Sequence, residues 1–245
     1  TIGNILDLVV GRLESNGSID VTFANNGIFN FASPVGSVFG YDLKLQPDGK
    51  IVVCGGYAVT ESDMDFMILR LNGDGTPDVT FGDGDGMSIY PVNVGEDYAY
   101  ELELLADGKI LLAGTSAVPG FSYSSGIVMR LMPDGTIDST FGTSGLTALQ
   151  LNANSADNFY RLEVLPSGKI ITAGYSYYDD VDHLLLAGFN ADGSVDPTFA
   201  TNGIHSGISI STAFDLATDG NVVYVGGRVT NTGGFDLGIT CFDTS

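Results

Sequence analysis

The sequence predicts an all-β protein built from repeated four-stranded antiparallel blades. Two turns recur about sixty residues apart, and a unit of this kind can bury its apolar face only by stacking on the next unit. No helical periodicity competes, because 34 glycines among 245 residues interrupt every candidate window. Four antiparallel strands at this period indicate a β-propeller, since a β-solenoid usually has shorter repeats.

Both turns occur four times. The first has the pattern D/S-G-K/N and lies at 48–50, 107–109, 167–169 and 219–221. The second has the pattern G-S/T-x-D-x-T-F and lies at 17–23, 75–81, 135–141 and 193–199. Its Asp can accept hydrogen bonds from backbone N–H groups two residues on, and its Gly tolerates positive φ. We therefore interpret this turn as structural and predict that its phenylalanines are buried plugs between sheets: Phe23, Phe81, Phe141 and Phe199.

Each unit is predicted to contain four short strands, and the first complete unit shows their order. A first strand at 41–45 leads through the first turn to the unbroken apolar run Ile51–Cys54, which suits a strand covered on both faces. A polar loop at 58–63 leads to a third strand at 66–71. The second turn and a fourth strand near 87–92 complete the unit.

The repeat predicts a single domain over 1–245. It divides into a partial unit at 1–39, units at about 40–97, 98–157 and 158–211, and a partial unit at 212–245. The third strand occurs five times and the other strands four times. Either the extra strand packs outside a ring of about four blades, or the chain is part of a larger propeller, which is the interpretation we favour.

The composition is strongly acidic and limits the classes of partner. Nine Lys and Arg stand against 30 Asp and Glu, a net charge of −21 that repels phosphate backbones and anionic lipids, so nucleic acid is not an expected partner. No apolar stretch approaches the length of a membrane span, and direct membrane insertion is not expected. Six of the nine cations recur at fixed positions in the repeat and are predicted to serve the scaffold: Arg12, Arg70, Arg130, Lys50, Lys109 and Lys169.

The two cysteines, Cys54 and Cys241, give no disulfide framework. They fall on different strand types in different units, whereas a disulfide needs Cα atoms within about 7 Å. We therefore predict no bridge between them.

Two strings carry a resemblance to a known family. Residues 45–51 (LQPDGKI) and 75–82 (GTPDVTFG), the latter preceded by Arg70-Leu71-Asn72, resemble the bacterial delta-60 repeat, a propeller-forming family. The resemblance covers nearly the whole chain and recurs four times. It implies a secreted or surface-attached bacterial protein and supplies no catalytic residue.

Strand direction predicts where a binding site would lie. Antiparallel strands alternate, so both recurring turns should lie on one face of the disc and the remaining loops on the other, which we call the variable-loop face. Its loops are predicted at 58–65, 115–125, 175–183 and 228–236 after second strands, and at 93–97 and 151–157 after fourth strands. In repeat proteins the face with varied insertions is commonly the binding face.

Aromatic residues in two of these loops are the predicted partner-binding residues. Tyr offers contact area and a hydroxyl at low entropic cost, which suits protein or glycan contacts. Packing at a blade edge is the alternative role for these side chains. They are Phe121, Tyr123, Tyr175, Tyr177 and Tyr178.

Calcium is a weaker candidate ligand. Asp83 and Asp85 in the string Gly82–Gly86 could supply some of the six to eight oxygens that calcium requires, but the string lacks the spacing and terminal Glu of a calcium loop. No cofactor is otherwise expected.

No catalytic site is predicted. His183 and His205 lie in different loops without a nucleophile pattern, and no His/Cys cluster has metal spacing. We therefore expect a non-enzymatic extracellular or cell-surface interaction or scaffold module that binds a protein or glycan partner, for example in a cell-envelope complex. A polysaccharide-active enzyme and a calcium-dependent glycan-binding module are the alternatives, because carboxylate separation is a three-dimensional quantity.

Overall fold

The computed structural model describes residues 5–117, 123–207, 211–231 and 234–243, and within these ranges the chain forms 17 β-strands and no helix. Within each sheet, strands that are consecutive along the chain pair antiparallel. Parallel bridges link neighbouring sheets, between Met64 and Glu96 and between Ser124 and Ala156. The predicted all-β fold is confirmed.

Five sheets follow one another along the chain. The first contains β1 (Leu8–Gly11) and β2 (Ile28–Phe31). The second contains β3 (Val38–Leu45), β4 (Ile51–Thr60), β5 (Asp63–Leu71) and β6 (Met87–Tyr90). The third contains β7 (Asp97–Leu104), β8 (Ile110–Ala117), β9 (Ser124–Leu131) and β10 (Leu146–Leu149). The fourth contains β11 (Ala156–Val164), β12 (Ile170–Tyr178), β13 (Val181–Phe189) and β14 (Ile204–Gly207), and the fifth contains β15 (Thr212–Thr218), β16 (Val222–Asn231) and β17 (Gly234–Asp243).

The sheets stack in chain order, with their first strands at the inner edge. Strand β3 contacts β7, β7 contacts β11, and β11 contacts β15. The complete sheets bury apolar side chains on both faces. Ile68 of β5 packs in one cluster with Leu102 of β7, and Val128 of β9 packs in another with Leu185 of β13. This is the packing of successive propeller blades.

The phenylalanine of the second turn plugs the joint between neighbouring sheets. Phe23, Phe81 and Phe141 are fully buried and Phe199 is 3% exposed, so the predicted burial is confirmed. Each of the first three rings lies against the second turn of the next sheet. A Cβ placed on Gly135, for example, would come within 2.8 Å of the Phe81 ring. The glycine is therefore required both by its positive φ of 89° and by this close approach.

An arginine at the end of the third strand ties each of these joints together. The guanidinium of Arg70 lies 4.3 Å from the centre of the Phe81 ring, and its Nη1 donates a hydrogen bond to the carbonyl of Pro133 in the next sheet, at 2.7 Å. Arg12 and Arg130 make the same two contacts in their own joints. The prediction that these cations serve the scaffold is confirmed.

A β-bulge interrupts the first strand of the second, third, fourth and fifth sheets. The register shifts occur at 40–42, 99–101, 159–161 and 213–215. At each of the first three bulges the next strand supplies a glycine opposite the displaced carbonyl. A Cβ on Gly55, Gly114 or Gly174 would overlap the carbonyl oxygen of Phe39, Tyr98 or Asn158, respectively. Glycine is therefore required opposite each of these bulges, because any side chain would collide with the displaced carbonyl. Each bulge also changes the direction of a side chain on its own strand.

Replacing Gly114 with alanine is expected to lower the free energy of unfolding by about 3 kcal/mol, because the new Cβ would collide with rigid backbone at the bulge. Gly226 of β16 is the matched control, since a Cβ there meets no atom within 4 Å. Gly226→Ala should change stability by about 0.5 kcal/mol or less. Urea denaturation followed by circular dichroism measures both, and equal losses in the two variants would contradict the steric argument.

Three of the predicted loops are wrong, because most of their residues extend the strands. The segments at 58–65, 175–183 and 228–236 belong mainly to β4 and β5, β12 and β13, and β16 and β17. Between β12 and β13 only Asp179 and Asp180 form the turn, with φ of 52° and 62°. Asp tolerates this left-handed conformation, which a tight hairpin requires at both central positions. Polar side chains on an extended hairpin were therefore mistaken for a loop.

Both cysteines are free, which confirms the prediction of no disulfide between them. Cys54 is buried in β4, and burial raises the pKa of its thiol well above its ordinary value. Cys241 is exposed in β17. The two thiols should therefore differ strongly in reactivity.

Candidate functional site

Six aromatic side chains form a continuous strip near the inner edges of the second, third and fourth sheets. Tyr41 and Tyr100 lie 5.0 Å apart between ring centres at 61°, and Tyr100 and Tyr160 lie 4.9 Å apart at 80°. Such edge-to-face pairs are favourable between aromatic rings. We call the six residues the aromatic strip: Phe39, Tyr41, Tyr98, Tyr100, Tyr160 and Tyr175.

The bulges account for the position of the strip. Tyr41, Tyr100 and Tyr160 are the residues that the bulges displace on β3, β7 and β11, and Phe214 holds the same position on β15. Tyr41 remains 45% exposed and the other tyrosines of the strip are half-buried. The repeated backbone feature therefore builds one shared surface from three separate sheets.

The tyrosine hydroxyls of the strip stay protonated. Burial raises the pKa of Tyr98 to about 12, and burial also raises the pKa of Tyr100 and of Tyr160. The rings can therefore offer hydrogen-bond donors and apolar faces together at neutral pH. This combination suits contact with a partner that is apolar at one point and polar at the next.

Charged side chains follow the strip on β3, β7 and β11 and continue on β15. Five acids and two cations form this charged row: Asp42, Lys44, Glu101, Glu103, Arg161, Glu163 and Asp215. Lys44 Nζ lies 2.5 Å from Glu103 Oε1, and Arg161 Nε lies 3.6 Å from Asp215 Oδ1. These pairs cross between neighbouring sheets and leave an excess of negative charge along the row.

Two acids of the charged row also bind the backbone of the next sheet. Asp42 Oδ2 accepts a hydrogen bond from the Leu102 N–H at 3.1 Å, and Glu101 Oε2 accepts one from the Leu162 N–H at 2.7 Å. Burial raises the pKa of Glu101 to about 7, although the Leu162 N–H and the charge of Arg161 both act to lower it. Glu101 therefore changes its charge close to neutral pH.

The structure places three of the five predicted partner-binding residues, Tyr175, Tyr177 and Tyr178, on β12. Tyr175 joins the aromatic strip, 5.6 Å from Tyr160 between ring centres. Tyr177 is 40% exposed, and its hydroxyl lies 3.4 Å from Asp180 Oδ1. Tyr178 stacks on His183 at 3.9 Å, Tyr123 is half-buried, and Phe121 lies outside the described residues. Their role in binding stays a prediction.

Sequence reasoning missed Tyr41, Tyr98, Tyr100 and Tyr160, although one signal was present. Tyr41, Tyr100 and Tyr160 each lie seven residues before the first residue of a first turn. An aromatic at a fixed offset in three units could have marked a shared surface. The bulge that turns these side chains toward one another has no signature in the alternation of polar and apolar residues.

Buried carboxylates anchor the loops that lead into the third and fourth sheets. Asp97 and Asp157 are fully buried. Asp97 Oδ2 accepts hydrogen bonds from the N–H groups of Val92 and Asn93, and Asp157 Oδ2 accepts one from the Leu151 N–H. These loops of the variable-loop face are therefore fixed to the inner strands.

Asp83 and Asp85 lie exposed in a turn of three glycines with positive φ. Asp85 Oδ1 accepts a hydrogen bond from the Met87 N–H at 2.9 Å, which is the ordinary role of Asp in a tight turn. Among the described residues, no group of three or more His, Cys, Asp or Glu side chains is arranged to hold a metal ion. The calcium hypothesis stays a prediction.

Salt is expected to raise the melting temperature, because screening relieves the repulsion among carboxylates at a net charge of −21. Calcium chloride should stabilise no more than sodium chloride at matched ionic strength. Thermal melts in the two salts measure this. A shift specific to calcium, lost in Asp83→Asn/Asp85→Asn, would establish the calcium site instead.

Comparison with known proteins agrees with the geometry of the repeat. In the part of the chain that the structure describes, no helix has the length and apolar character needed to cross a membrane. A search of curated proteins finds no match to the chain. The family model described as "Domain of unknown function (DUF5122) beta-propeller" matches residues 46–81, 105–141 and 165–199, so that each match ends at the buried phenylalanine of a second turn. Three stretches of the chain therefore match the DUF5122 β-propeller repeat, which is of the delta-60 type.

Proposed function

We propose that the chain is a non-enzymatic recognition module that binds a protein partner across the aromatic strip and the adjoining hairpin of β12 and β13. One observation carries this proposal. Tyrosines from three sheets meet in a single, part-exposed surface, with Tyr41, Tyr100 and Tyr160 about 5 Å from one ring centre to the next. Exposed, rigid aromatic groups are the side chains that most often dominate protein interfaces.

The charged row indicates the chemistry of the partner surface. Its acids outnumber its cations, and the whole chain is acidic. A partner with Lys or Arg side chains among apolar residues would meet both the carboxylates and the faces of the tyrosine rings, which attract cations. We propose an extracellular or cell-surface setting, such as a cell-envelope complex, because an acidic surface suits a saline exterior. A glycan is the other class of ligand that stacks on tyrosine.

The test compares tyrosine variants in capture from a cell-envelope extract. Tyr41 and Tyr177 are the most exposed tyrosines of the strip and hairpin, so Tyr41→Ala/Tyr177→Ala should leave the melting temperature nearly unchanged. Partner binding should weaken by about 2 kcal/mol, or roughly 30-fold. Val79→Ala, exposed on the face of the recurring turns, is the control and should bind as the native chain does. A full set of partners retained by the double variant would show that this surface does not bind them.

Polysaccharide cleavage is the second candidate function, and Glu101 is the observation that favours it. Burial raises the pKa of Glu101 to about 7, and glycoside hydrolysis uses one such carboxylic acid with a second carboxylate. The hydrogen bond from the Leu162 N–H gives Glu101 a structural role as well, which is why we favour binding. Release of reducing sugar from cell-wall or capsular polysaccharides by the native chain, lost in Glu101→Gln, would establish the enzymatic function instead.

A further inference from the structure

A small polar cavity opens on the variable-loop face, beside the hairpin of β12 and β13. Its volume is about 300 Å³, and its walls come from the loop that joins β10 to β11 and from the end of that hairpin. The lining residues are Asn152, Ala153, Asn154, Tyr178 and Asp179. This volume is at the lower end of the range for small-molecule sites, so the cavity fits a ligand of about one ring.

The loop side of the cavity is held in place by the buried carboxylate of Asp157. Its Oδ2 accepts a hydrogen bond from the Leu151 N–H and lies 2.8 Å from Ser155 Oγ. Ser155 Oγ in turn accepts a hydrogen bond from the Asn152 N–H at 3.0 Å. The backbone that carries Asn152 and Asn154 is therefore fixed before a ligand arrives, which lowers the entropic cost of binding.

The hairpin side of the cavity presents an aromatic ring in a fixed orientation. Tyr178 stacks on His183, with 3.9 Å between ring centres and 7° between ring planes. Successive side chains of a strand point to opposite faces of the sheet, so Tyr178 and Tyr177 face in opposite directions. Tyr177 shares its face with Tyr175 of the aromatic strip. The cavity is therefore separate from the strip.

The polar side chains of the cavity wall can bind a ligand without breaking contacts within the protein. In the part of the chain that the structure describes, the side chains of Asn152, Asn154 and Asp179 make no hydrogen bond to another protein atom. Each amide offers donors and an acceptor, and the carboxylate offers acceptors only. The hydroxyl groups of a sugar ring both donate and accept, so they match this set. The C–H groups of the same ring are apolar and suit contact with Tyr178.

The charge around the cavity favours a neutral sugar over an acidic one. Asp179 and Asp180 form the hairpin turn, and the chain as a whole carries −21. These carboxylates would repel a uronate or another anionic sugar.

We propose that this cavity binds one ring of a neutral sugar, with Asn152, Asn154 and Asp179 on its hydroxyl groups and Tyr178 against its C–H groups. The site goes beyond the protein-binding surface proposed above. It uses the loop before β11 and the opposite side of β12, so it does not depend on that surface.

Saturation-transfer NMR with a defined set of sugars tests the proposal. The set contains the methyl glycosides of glucose, galactose and mannose, N-acetylglucosamine, and glucuronate as the acidic counterpart of glucose. The native chain should bind at least one neutral sugar, and should bind glucuronate at least about tenfold more weakly than that sugar. A chain that binds none of the neutral sugars, or binds glucuronate equally well, would overturn the proposal.

Asn152→Ala/Asn154→Ala should weaken sugar binding at least about tenfold, because two amide contacts are lost. Both side chains are exposed, so the melting temperature should stay nearly unchanged. Asn25→Ala is the matched control, since Asn25 is an exposed asparagine beside a recurring turn on the other face. Full affinity in the double variant, or an equal loss in the control, would contradict the assignment of the site.

Two tyrosine positions complete the test. Tyr178→Phe keeps the ring and should bind the sugar nearly as the native chain does, whereas Tyr178→Leu should not. Equal losses in these two variants would show that the sugar does not lie on the ring, contrary to the proposal. Tyr41→Ala changes the aromatic strip and should retain sugar binding while weakening the protein partner, so failure of one proposal is distinguishable from failure of the other. Loss of sugar binding in Tyr41→Ala would place the sugar on the strip instead of in the cavity.

Discussion

Replacing Phe81 with alanine is expected to lower the free energy of unfolding by about 3–5 kcal/mol. The ring is fully buried between the second and third sheets, beneath the guanidinium of Arg70 and against Gly135. Its removal leaves a cavity beside Gly135 and among the side chains of the core cluster, which relax only in part. It also removes the aromatic face that the guanidinium of Arg70 contacts. Urea denaturation followed by circular dichroism measures the loss.

Val79→Ala is the matched control for Phe81→Ala. Val79 lies two residues earlier in the same turn and is 67% exposed, so its truncation should change stability by about 0.5 kcal/mol or less. A loss below about 1 kcal/mol in Phe81→Ala would show that the joint collapses around the missing ring. The phenylalanine would then occupy space in the joint without determining how the two sheets pack.

The sequence predicted the joints well because each of their parts is local and repeated. The turn that ends in Phe81 contains its own Asp78 and Gly75, and the buried phenylalanines follow from their fixed offset. The arginine in the joint also repeats at 12, 70 and 130, although Gly188 replaces it in the fourth sheet. Such features can be predicted without knowing which distant residues are in contact.

The candidate site was predicted less well because it depends on contacts between distant units. Tyr41, Tyr100 and Tyr160 lie about sixty residues apart along the chain and meet only because three bulges displace them in the same direction. Tyr175 was predicted as a site residue, but as part of a loop. The structure places it in β12, where its neighbour is Tyr160 of the adjacent strand. The bulge at 159–161 on β11 decides this contact, and the alternation of polar and apolar residues does not show its position.

Asp78→Asn is expected to lower the free energy of unfolding by about 3 kcal/mol, because it leaves buried positive charge without its partner. Asp78 is 3% exposed. Its Oδ2 accepts hydrogen bonds from Arg70 Nε at 2.7 Å and from Lys50 Nζ at 2.9 Å, and its Oδ1 accepts them from Thr80. Arg70 in turn reaches the next sheet through Pro133, so the loss should weaken the joint as well as the turn.

Asp48→Asn is the matched control, since it removes the same charge beside the same lysine. Asp48 Oδ2 lies 3.8 Å from Lys50 Nζ, but its side chain is 58% exposed, and exposed ion pairs contribute about 0–1 kcal/mol. The asparagine keeps the oxygen that accepts a hydrogen bond from the Lys50 N–H. The two variants therefore differ mainly in burial and in contact with Arg70. Equal losses would contradict the assignment of the effect to the buried charge.

Lowering the pH distinguishes the contribution of the Asp78 charge to stability from the contribution of its packing. Burial alone would raise the pKa of Asp78, but hydrogen bonds from Lys50 and Thr80 and the charge of Arg70 outweigh it, so the pKa lies well below its ordinary value of 3.8. A lowered pKa in the folded state gives stability that is present above about pH 4 and is lost progressively below it. The native chain should lose this contribution on acidification, whereas Asp78→Asn has none to lose. The difference in unfolding free energy between the native chain and Asp78→Asn should therefore decrease as the pH falls from 5 to 3. A constant difference would show that Asp78 acts through packing rather than charge.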